Sequence, residues 1–350
     1  MNKSAAGEGQ RASPRERCAP RAVPRYTTLL RASAAPLLRA SAAPRADSMP
    51  DVLRIKARVS YTRKVDTGKI AGRTVDEQLW GRLRSAFAVQ TISDAQVQTL
   101  QDQDDPREIS AIDARTLPAP PTIQSHGFEL REVPSEITSW QQTPEVDAIG
   151  RREAEAIVLA ATGADEVYAF DSTWRSSKRN NFDSSLGPGG LAVNMSSSVA
   201  RVHTDNTPTS GGWKLDELIE AGILPPHARA STHRAAILNV WRAYGAGDRV
   251  VAAPLGCVAH DSISAEHTFP YTLAYDGKCG VNGSIAHDEG HQWHYYSAMT
   301  PNEVLVFTNY ESGETPRQIY HAALELIDPP APPEAERVSY EVRVVALWRV

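Results

Sequence analysis

The second half of the chain consists of short apolar runs that are separated by polar turns containing Gly, Pro or Asn. The runs are shorter than most helices, and β-branched and aromatic residues are frequent in them. Those that predict strands cover residues 236–242, 250–259, 304–307 and 339–350. Because many short strands bury their apolar faces only by closing on one another, the pattern predicts a mainly β fold, either a jelly roll or a barrel.

The pattern before residue 236 predicts fewer strands and adds helices. A polar stretch that favours a helix runs to about Asp105, and residues 172–198 are rich in Gly, Ser and Asn, which is typical of a lid or binding loop. Helical spacing is found at 144–161, where Gly163 is a natural stop, and at 213–221. Further strands are predicted at 52–59, 110–115, 127–130 and 167–171, and Tyr295-Tyr296 with 304–307 predicts a hairpin-like unit.

The first 48 residues differ from the rest. They are rich in Ala, Arg, Pro and Ser, contain a direct repeat at 29–36 and 37–44, and show no apolar periodicity. We therefore expect a disordered segment at 1–48 and a single catalytic domain at 49–350, with the metal-binding core at about 165–350. The segment is either an organelle transit peptide or sequence upstream of a start at Met49. The expected location is otherwise cytoplasmic.

Charge and cysteine content exclude several classes of protein. The first 48 residues carry a net charge of +6 and the remainder −11, so the body of the chain is a poor nucleic-acid binder. No run approaches the roughly 18 apolar residues of a membrane helix, and we expect no membrane partner. Three scattered cysteines give neither a disulfide framework nor a metal spacing. The oligomeric state is not predicted.

The stretch Arg201-Val202-His203-Thr204-Asp205 carries the first chemical signal. Residues i and i+2 of a strand point to the same face, so His203 and Asp205 can bind one metal ion. Two ligands are not a site, and the nine other histidines of the chain offer candidates for the third. His321 is favoured because it follows an apolar strand and a turn.

The order of motifs indicates the chemistry. His-x-Asp, a distant His, and then Arg337-x-Ser339 follow the order found in non-haem Fe(II) oxygenases that depend on 2-oxoglutarate. Two imidazoles and a carboxylate hold one face of Fe(II), which leaves positions for 2-oxoglutarate and O₂. A guanidinium suits the far carboxylate of the co-substrate, and Arg343 competes with Arg337 for that role.

Two other functions stay open at this point. His287 and His291, with His294, could form the zinc site of a metal-dependent hydrolase, although the Gly residues around them disfavour the helix that this requires. The chain could also be a non-catalytic barrel that binds a small molecule.

Several motifs resemble one family. They are Arg-Val-His-Thr-Asp-Asn-Thr-Pro at 201–208, Asn-Val-Trp-Arg at 239–242, the His-Gln-Trp-His-Tyr-Tyr run at 291–296, and Arg-Val-Ser-Tyr-Glu-Val-Arg at 337–343. Together they resemble the AsaB-like hydroxylase/desaturase family, which includes gibberellin desaturase-like and cephalosporin methoxylase-like members. The resemblance covers about 51–350. Departures occur at Ala243 and at 256–262.

The resemblance implies a double-stranded β-helix oxygenase, with iron on His203, Asp205 and His321, that hydroxylates or desaturates a small substrate of secondary metabolism with 2-oxoglutarate and O₂. Asp205 argues against a halogenase, because a halide needs the position that this carboxylate occupies. We expect substrate contacts from four residues near the strand ends, namely Trp241, Arg242, Tyr295 and Tyr296.

Overall fold

Two β-sheets form most of the described protein. The computed structural model describes residues 52–63, 104–178, 195–230, 233–244, 249–275, 278–313 and 317–350. The segment 1–48 and most of the stretch that favours a helix before Asp105 lie outside these residues, as does the central part of the loop predicted at 172–198.

The strands in chain order are β1 (Arg54–Thr62), β2 (Asp104–Asp113), β3 (Phe128–Glu132), β4 (Glu166–Ser176), β5 (Met195–Ser197), β6 (His203–Thr204), β7 (His233–Tyr244), β8 (Leu255–Val258), β9 (Thr268–Tyr275), β10 (Lys278–Ile285), β11 (Trp293–Tyr295), β12 (Glu303–Glu311), β13 (His321–Ala323), β14 (Glu325–Asp328) and β15 (Val338–Arg349). The helices are α1 (Ile123–His126), α2 (Pro144–Thr162) and α3 (Pro208–Glu220).

The strands are divided between a nine-stranded and a six-stranded sheet. The larger has the order β14-β1-β2-β11-β8-β13-β6-β10-β9, and the smaller has the order β3-β12-β7-β15-β4-β5. Most neighbours are antiparallel, and the long pair β7–β15 forms the middle of the smaller sheet. The prediction of a mainly β fold is confirmed.

The sheets pack face to face around a shared core. On the inner face of the smaller sheet, Trp241, Leu305 and Phe307 cluster with Leu255 and Cys257 from the larger sheet. Residues of opposite parity on the same strands, such as Val240 and Val306, face outward and pack against α2. This alternation assigns the residues of β7 to the inner face or to the outer layer, whereas in β12 it is interrupted by a register shift between Thr308 and Tyr310.

Local sequence explains where α2 begins and ends. Thr143 accepts a hydrogen bond from the backbone N–H of Val146, and Pro144 occupies the first turn, where it has no N–H to leave unpaired. Gly163 ends the helix in the left-handed conformation, with φ of 63°. The predicted helix and its stop are therefore confirmed.

Three predictions about elements are wrong. Tyr295 and the strand from 304 do not form a hairpin, because β11 and β12 lie in different sheets. Only Leu255–Val258 of the run 250–259 is a strand. The start of the predicted loop, 172–176, continues β4, because these residues pair with β15.

In the described part of the chain, no helix is long and apolar enough to cross a membrane.

Candidate metal centre

His203 and His321 lie opposite each other in the larger sheet. β6 pairs with β13 in a register that places His321 directly across from His203, and their ring centroids are 4.5 Å apart. Asp205 follows immediately after β6. One ligand atom from each of these three residues lies within 4.8 Å of the other two. The three predicted metal ligands therefore meet, although they are 118 positions apart in the sequence at their widest.

Backbone carbonyls orient both imidazoles. Nδ1 of His203 lies 2.8 Å from the carbonyl oxygen of Arg201, and Nδ1 of His321 lies 3.3 Å from that of Ile319. A carbonyl oxygen only accepts, so Nδ1 carries the proton in each ring and Nε2 presents its lone pair to the centre. Metal-binding histidines commonly have this outer contact, which fixes the tautomer and the ring orientation.

Asp205 uses its two oxygens differently. Oδ2 accepts hydrogen bonds from Nδ2 of Asn239 at 3.1 Å, Nδ2 of Asn309 at 3.0 Å and Nε of Arg343 at 2.8 Å. Oδ1 faces Nε2 of His203 at 3.6 Å. With Oδ2 held by three donors, Oδ1 remains for one cation.

Sequence reasoning missed the residues that hold Asp205. Asn239 and Asn309 are fully buried on the smaller sheet, and Nδ2 of Asn239 also donates to Oε1 of Glu341 at 3.1 Å. Oδ1 of Asn309 accepts from the backbone N–H of Asp205 at 3.0 Å and from the hydroxyl of Thr204 at 2.9 Å. A buried asparagine in an otherwise apolar strand was the available signal, because such a group needs polar partners.

The electrostatics keep the ligand atoms free of protons. Burial, followed by the nearby His321, lowers the pKa of His203 to about 4, and burial also lowers the pKa of His321. Burial alone would raise the pKa of Asp205, but Arg343 and the two histidines hold it well below its usual range. Two neutral imidazoles and a carboxylate therefore face the centre at neutral pH. This is the donor set that suits Fe(II) in a facial triad.

Arg337 and Ser339 supply a buried anion site. Arg337 is only 3% exposed; its Nη1 donates to the carbonyl of Ala253 at 3.0 Å, and its guanidinium lies 5.5 Å from the ring of Trp241. Nε of Arg337 and Oγ of Ser339 are buried, and neither has a hydrogen-bond partner among the described residues. Burial, followed by the nearby Arg175, lowers the pKa of Arg337 to about 9. A carboxylate would satisfy both groups and stabilise the charge.

Arg343 does not fit the alternative role of co-substrate anchor. Its guanidinium already contacts three carboxylates, those of Asp205 at 2.8 Å, Asp171 at 2.7 Å and Glu341 at 2.9 Å. The side chain is therefore neutralised by the protein itself, and its position beside Oδ2 makes it a support for a ligand.

Of the four expected substrate contacts, two lie on the inner side of the sheets and two do not. Trp241 and Tyr296 belong to the shared core. Arg242 points outward and donates to the carbonyls of Val133 at 2.8 Å and Pro301 at 2.7 Å, because its neighbour Trp241 takes the inner face. Tyr295 packs with Tyr61 in the cluster on the other side of the larger sheet. Arg242 and Tyr295 therefore do not face the inner layer between the two sheets.

The histidines of the hydrolase alternative do not converge. His291 stacks on Tyr61 and its Nδ1 lies 3.1 Å from the Tyr61 hydroxyl, whereas His294 contacts His126 and Phe128 in the inner core. His287 also contacts Tyr61. In the described ranges, these three are not among the groups whose ligand atoms could share one ion.

Arg175 is a further residue that the sequence did not single out. It is half-buried on β4, directly across from Ser339 of β15. Its charge contributes to lowering the pKa of Arg337, His203 and His321. Arg175 therefore adds a positive charge near both the candidate metal centre and Arg337.

Comparison with known proteins agrees with this geometry. The family model described as an oxidoreductase/YMDC permease-like domain matches residues 78–347. The chain is 24% identical over 205 residues to "Oxidoreductase AN1597" of Emericella nidulans, a match that covers 54% of this chain and 66% of that protein. It is 23% identical over 236 residues to "Alpha-ketoglutarate-dependent dioxygenase tstK" of Talaromyces stipitatus, covering 65% of this chain and 80% of the relative. The match to AN1597 thus spans just under two thirds of that protein.

Solved structures show the same fold. Two forms of a protein named "iron and alpha-ketoglutarate-dependent endoperoxidase NvfI" superpose with TM-scores of 0.61 and 0.55, at 19% and 20% identity. Each covers 85% of this chain and 98% of its own. The jelly-roll prediction is confirmed, as is the prediction of an oxidoreductase. The chain belongs to the family of the oxidoreductase/YMDC permease-like domain.

Proposed function

We propose that this protein is a non-haem Fe(II)- and 2-oxoglutarate-dependent oxygenase that hydroxylates or desaturates a small organic substrate of secondary metabolism. One observation carries the proposal. One ligand atom from each of His203, Asp205 and His321 lies within 4.8 Å of the other two, in the inner layer that also holds the buried Arg337, whose Nε has no hydrogen-bond partner among the described residues. The names of the relative tstK and of the structural neighbour NvfI support the same chemistry.

In this proposal His203, Asp205 and His321 hold the iron. Iron held by these three residues would keep positions free for 2-oxoglutarate and O₂. It would activate O₂, which is the oxidant, while 2-oxoglutarate would supply two electrons as it is converted to succinate and CO₂. The protein keeps the imidazoles neutral by burial and keeps Asp205 ionised through Arg343. Asn239 and Asn309 hold the carboxylate in one orientation, so the ligand set is arranged before the metal arrives.

Arg337 and Ser339 bind the far carboxylate of 2-oxoglutarate. Their free donors are Nε and the hydroxyl; Arg337 immediately precedes β15, and Ser339 is the second residue of that strand. Trp241 contacts the guanidinium and shields it from water. An ion pair in this buried setting is stronger than one at the surface, which favours a dicarboxylic co-substrate over a monocarboxylic one.

The substrate contacts apolar and aromatic side chains of the shared core, with Trp241 and Tyr296 as walls. Tyr296 has a buried hydroxyl without a hydrogen-bond partner in the described part of the protein. A carbonyl or hydroxyl group of the substrate would satisfy it. Asp205 supplies the carboxylate that a halogenating site lacks, so the outcome proposed is oxygen transfer or desaturation.

An anaerobic titration tests the proposal. Iron-free protein is loaded with Fe(II), and 2-oxoglutarate is then added. We expect a weak absorption band at about 500–530 nm, which arises when the co-substrate chelates iron in an open facial site. The Asp205→Ala variant, which removes one ligand and the carboxylate charge, should lose the band.

Circular dichroism of each sample shows that the protein is folded. A folded wild-type protein that gives no band, and that forms no succinate from 2-oxoglutarate with Fe(II) and ascorbate, would be a non-catalytic barrel. A chlorinated product formed by the wild-type protein when chloride is supplied would contradict the proposed oxygen transfer or desaturation.

A further inference from the structure

A second group of metal-binding side chains lies away from the proposed iron centre. Glu166 is the first residue of β4, His233 is the first residue of β7, and His227 lies in the short turn Pro226–Arg229. One ligand atom from each lies within 4.8 Å of the other two. Nothing in the proposed oxygenase reaction uses these residues, so the cluster needs an explanation of its own.

The cluster is separate from the iron centre. Glu166 is five residues before Asp171 on β4, which corresponds to about 15 Å along an extended strand. Asp171 of β4 contacts Arg343, which lies next to Asp205. A metal ion at Glu166 therefore shares no ligand with a metal ion at Asp205.

The distances suit a borderline divalent ion. Nε2 of His227 lies 3.1 and 3.2 Å from the two oxygens of Glu166, close to the roughly 3.3 Å between two ligands of a tetrahedral zinc ion. The rings of His227 and His233 have centroids 4.8 Å apart and are inclined by 31°, so only a small rotation brings both to one ion. Two imidazoles and one carboxylate are a common zinc ligand set, with the fourth position left to water.

The surroundings fix the ligands in the way that metal sites require. The Tyr168 hydroxyl donates to Oε2 of Glu166 at 2.6 Å, which orients the carboxylate and leaves Oε1 for a cation. The backbone joins the two histidines, because the N–H of Ala230 donates to the carbonyl of His227 and the N–H of His233 donates to that of Ala230.

One neighbour opposes binding. Nη2 of Arg349 lies 3.8 Å from Oε1 of Glu166, so it competes for the same oxygen. The side chain of Arg349 is 73% exposed, and it can move into water at little cost when a divalent ion arrives. This makes Arg349 a useful probe of the site.

We propose that Glu166, His227 and His233 form a zinc site that fastens the turn Pro226–Arg229 to one end of the smaller sheet, where β4 and β7 begin. A bound zinc ion links the turn at His227 to the starts of β4 and β7. Because zinc would bind the native state and not the unfolded chain, it would stabilise the fold. The site is structural and independent of the proposed oxygenase activity.

Zinc titration of the untagged protein tests the proposal. The His203→Ala/His321→Ala double variant has no iron site, and we expect it still to bind one equivalent of Zn²⁺, measured by competition with a chromophoric chelator. Adding His227→Ala should abolish this equivalent and the zinc-dependent rise in melting temperature. His260→Ala, at a half-buried residue in another short turn, is the matched control and should change neither.

Two further measurements complete the test. Arg349→Ala should tighten zinc binding several-fold, because it removes the competing cation. If the double variant does not fold, wild-type protein should bind two equivalents of Zn²⁺ and the His227→Ala protein one. The proposal is overturned if the wild-type and His227→Ala proteins contain equal amounts of zinc. It is also overturned if neither His227→Ala nor Arg349→Ala changes the affinity for Zn²⁺.

Discussion

Asp205 shows how one carboxylate can be fixed by the fold and still offer an oxygen to a metal ion. Its Oδ2 is held by three donors from the smaller sheet, and its Oδ1 faces Nε2 of His203. Because Arg343 and the histidines keep the carboxyl group ionised, a metal ion at this proposed ligand would not have to displace a proton.

The Asn309→Ala variant tests the support for Asp205. Asn309 is fully buried and contacts the Asp205 carboxylate, the Asp205 backbone N–H and the Thr204 hydroxyl. Loss of such an outer contact should weaken Fe(II) binding by about 10–100-fold, as measured by competition with a chelator. Asn302→Ala, at an exposed turn, is the control. Unchanged iron affinity in the Asn309→Ala protein would show that the asparagine only fills space.

Variants at Arg337 and Arg343 separate co-substrate binding from iron binding. Arg337→Ala should raise the KM for 2-oxoglutarate by more than 10-fold with little change in iron content, because it removes a buried guanidinium from an anion site. Arg343→Lys keeps one charge but loses contacts to three carboxylates, so it should weaken iron binding instead. The reverse pattern would make Arg343 the anchor. Arg337→Lys should recover part of the co-substrate affinity.

The sequence predicted the ligands but not their supports. His203, Asp205 and His321 follow from motif order and strand parity, which are local properties. Asn239 and Asn309 support Asp205 across the gap between two sheets, and no spacing along the chain encodes that contact. The sequence did not show that Arg242 and Tyr295 lie away from the inner layer, because the inner face of a strand is known only once its register is known.

At the scale of elements, α2 packs closely on the outer face of the smaller sheet. Gly150 is buried in this helix, and a Cβ added there would lie 2.5 Å from the ring of Tyr340 on β15. A glycine inside a helix is normally unfavourable, so close packing explains its presence.

Gly150→Ala therefore tests the packing of α2. Although alanine favours helices by about 1 kcal/mol over glycine, the clash with Tyr340 should lower the free energy of unfolding by about 1–3 kcal/mol. Ala156→Gly, at an exposed position of the same helix, should cost about 1 kcal/mol through propensity alone. Urea unfolding measures both. A Gly150→Ala protein more stable than the wild type would mean that the helix shifts freely on the sheet.

Elements with strong local signals were predicted well. α2 has a side-chain cap, an N-terminal proline and a terminal glycine, and β7 and β15 are long and apolar. The wrong hairpin at 295–307 reflects a limit of sequence reasoning. Two strands joined by a turn usually pair, but here the chain passes from one sheet to the other between β11 and β12.

For the whole molecule, buried histidines predict sensitivity to acid. Burial lowers the pKa of His203, His291 and His294 to about 4, whereas the unfolded value is about 6.5. As the pH falls, these histidines therefore bind protons at a higher pH in the unfolded chain than in the folded protein. The stability of the iron-free protein should be complete above about pH 6.5 and should be lost as the pH falls towards 4.

Urea unfolding of iron-free protein between pH 7.5 and 4.5 measures this loss. His294→Gln removes one of the three histidines whose pKa is lowered in the folded protein, so it should make the decline of stability with falling pH shallower. An identical slope in wild-type and His294→Gln proteins would place the acid sensitivity elsewhere.

The two sheets contribute to the metal centre in different ways. The larger sheet carries His203 and His321, and Asp205 directly follows its strand β6; Asn239, Asn309 and Arg343, which hold the Asp205 carboxylate, belong to the smaller one. The affinity for iron should therefore depend on how the two sheets are positioned relative to each other. A substitution that slides one sheet against the other should release iron before it unfolds the protein, even when it lies far from the ligands, and added Fe(II) should in turn slow the separation of the sheets.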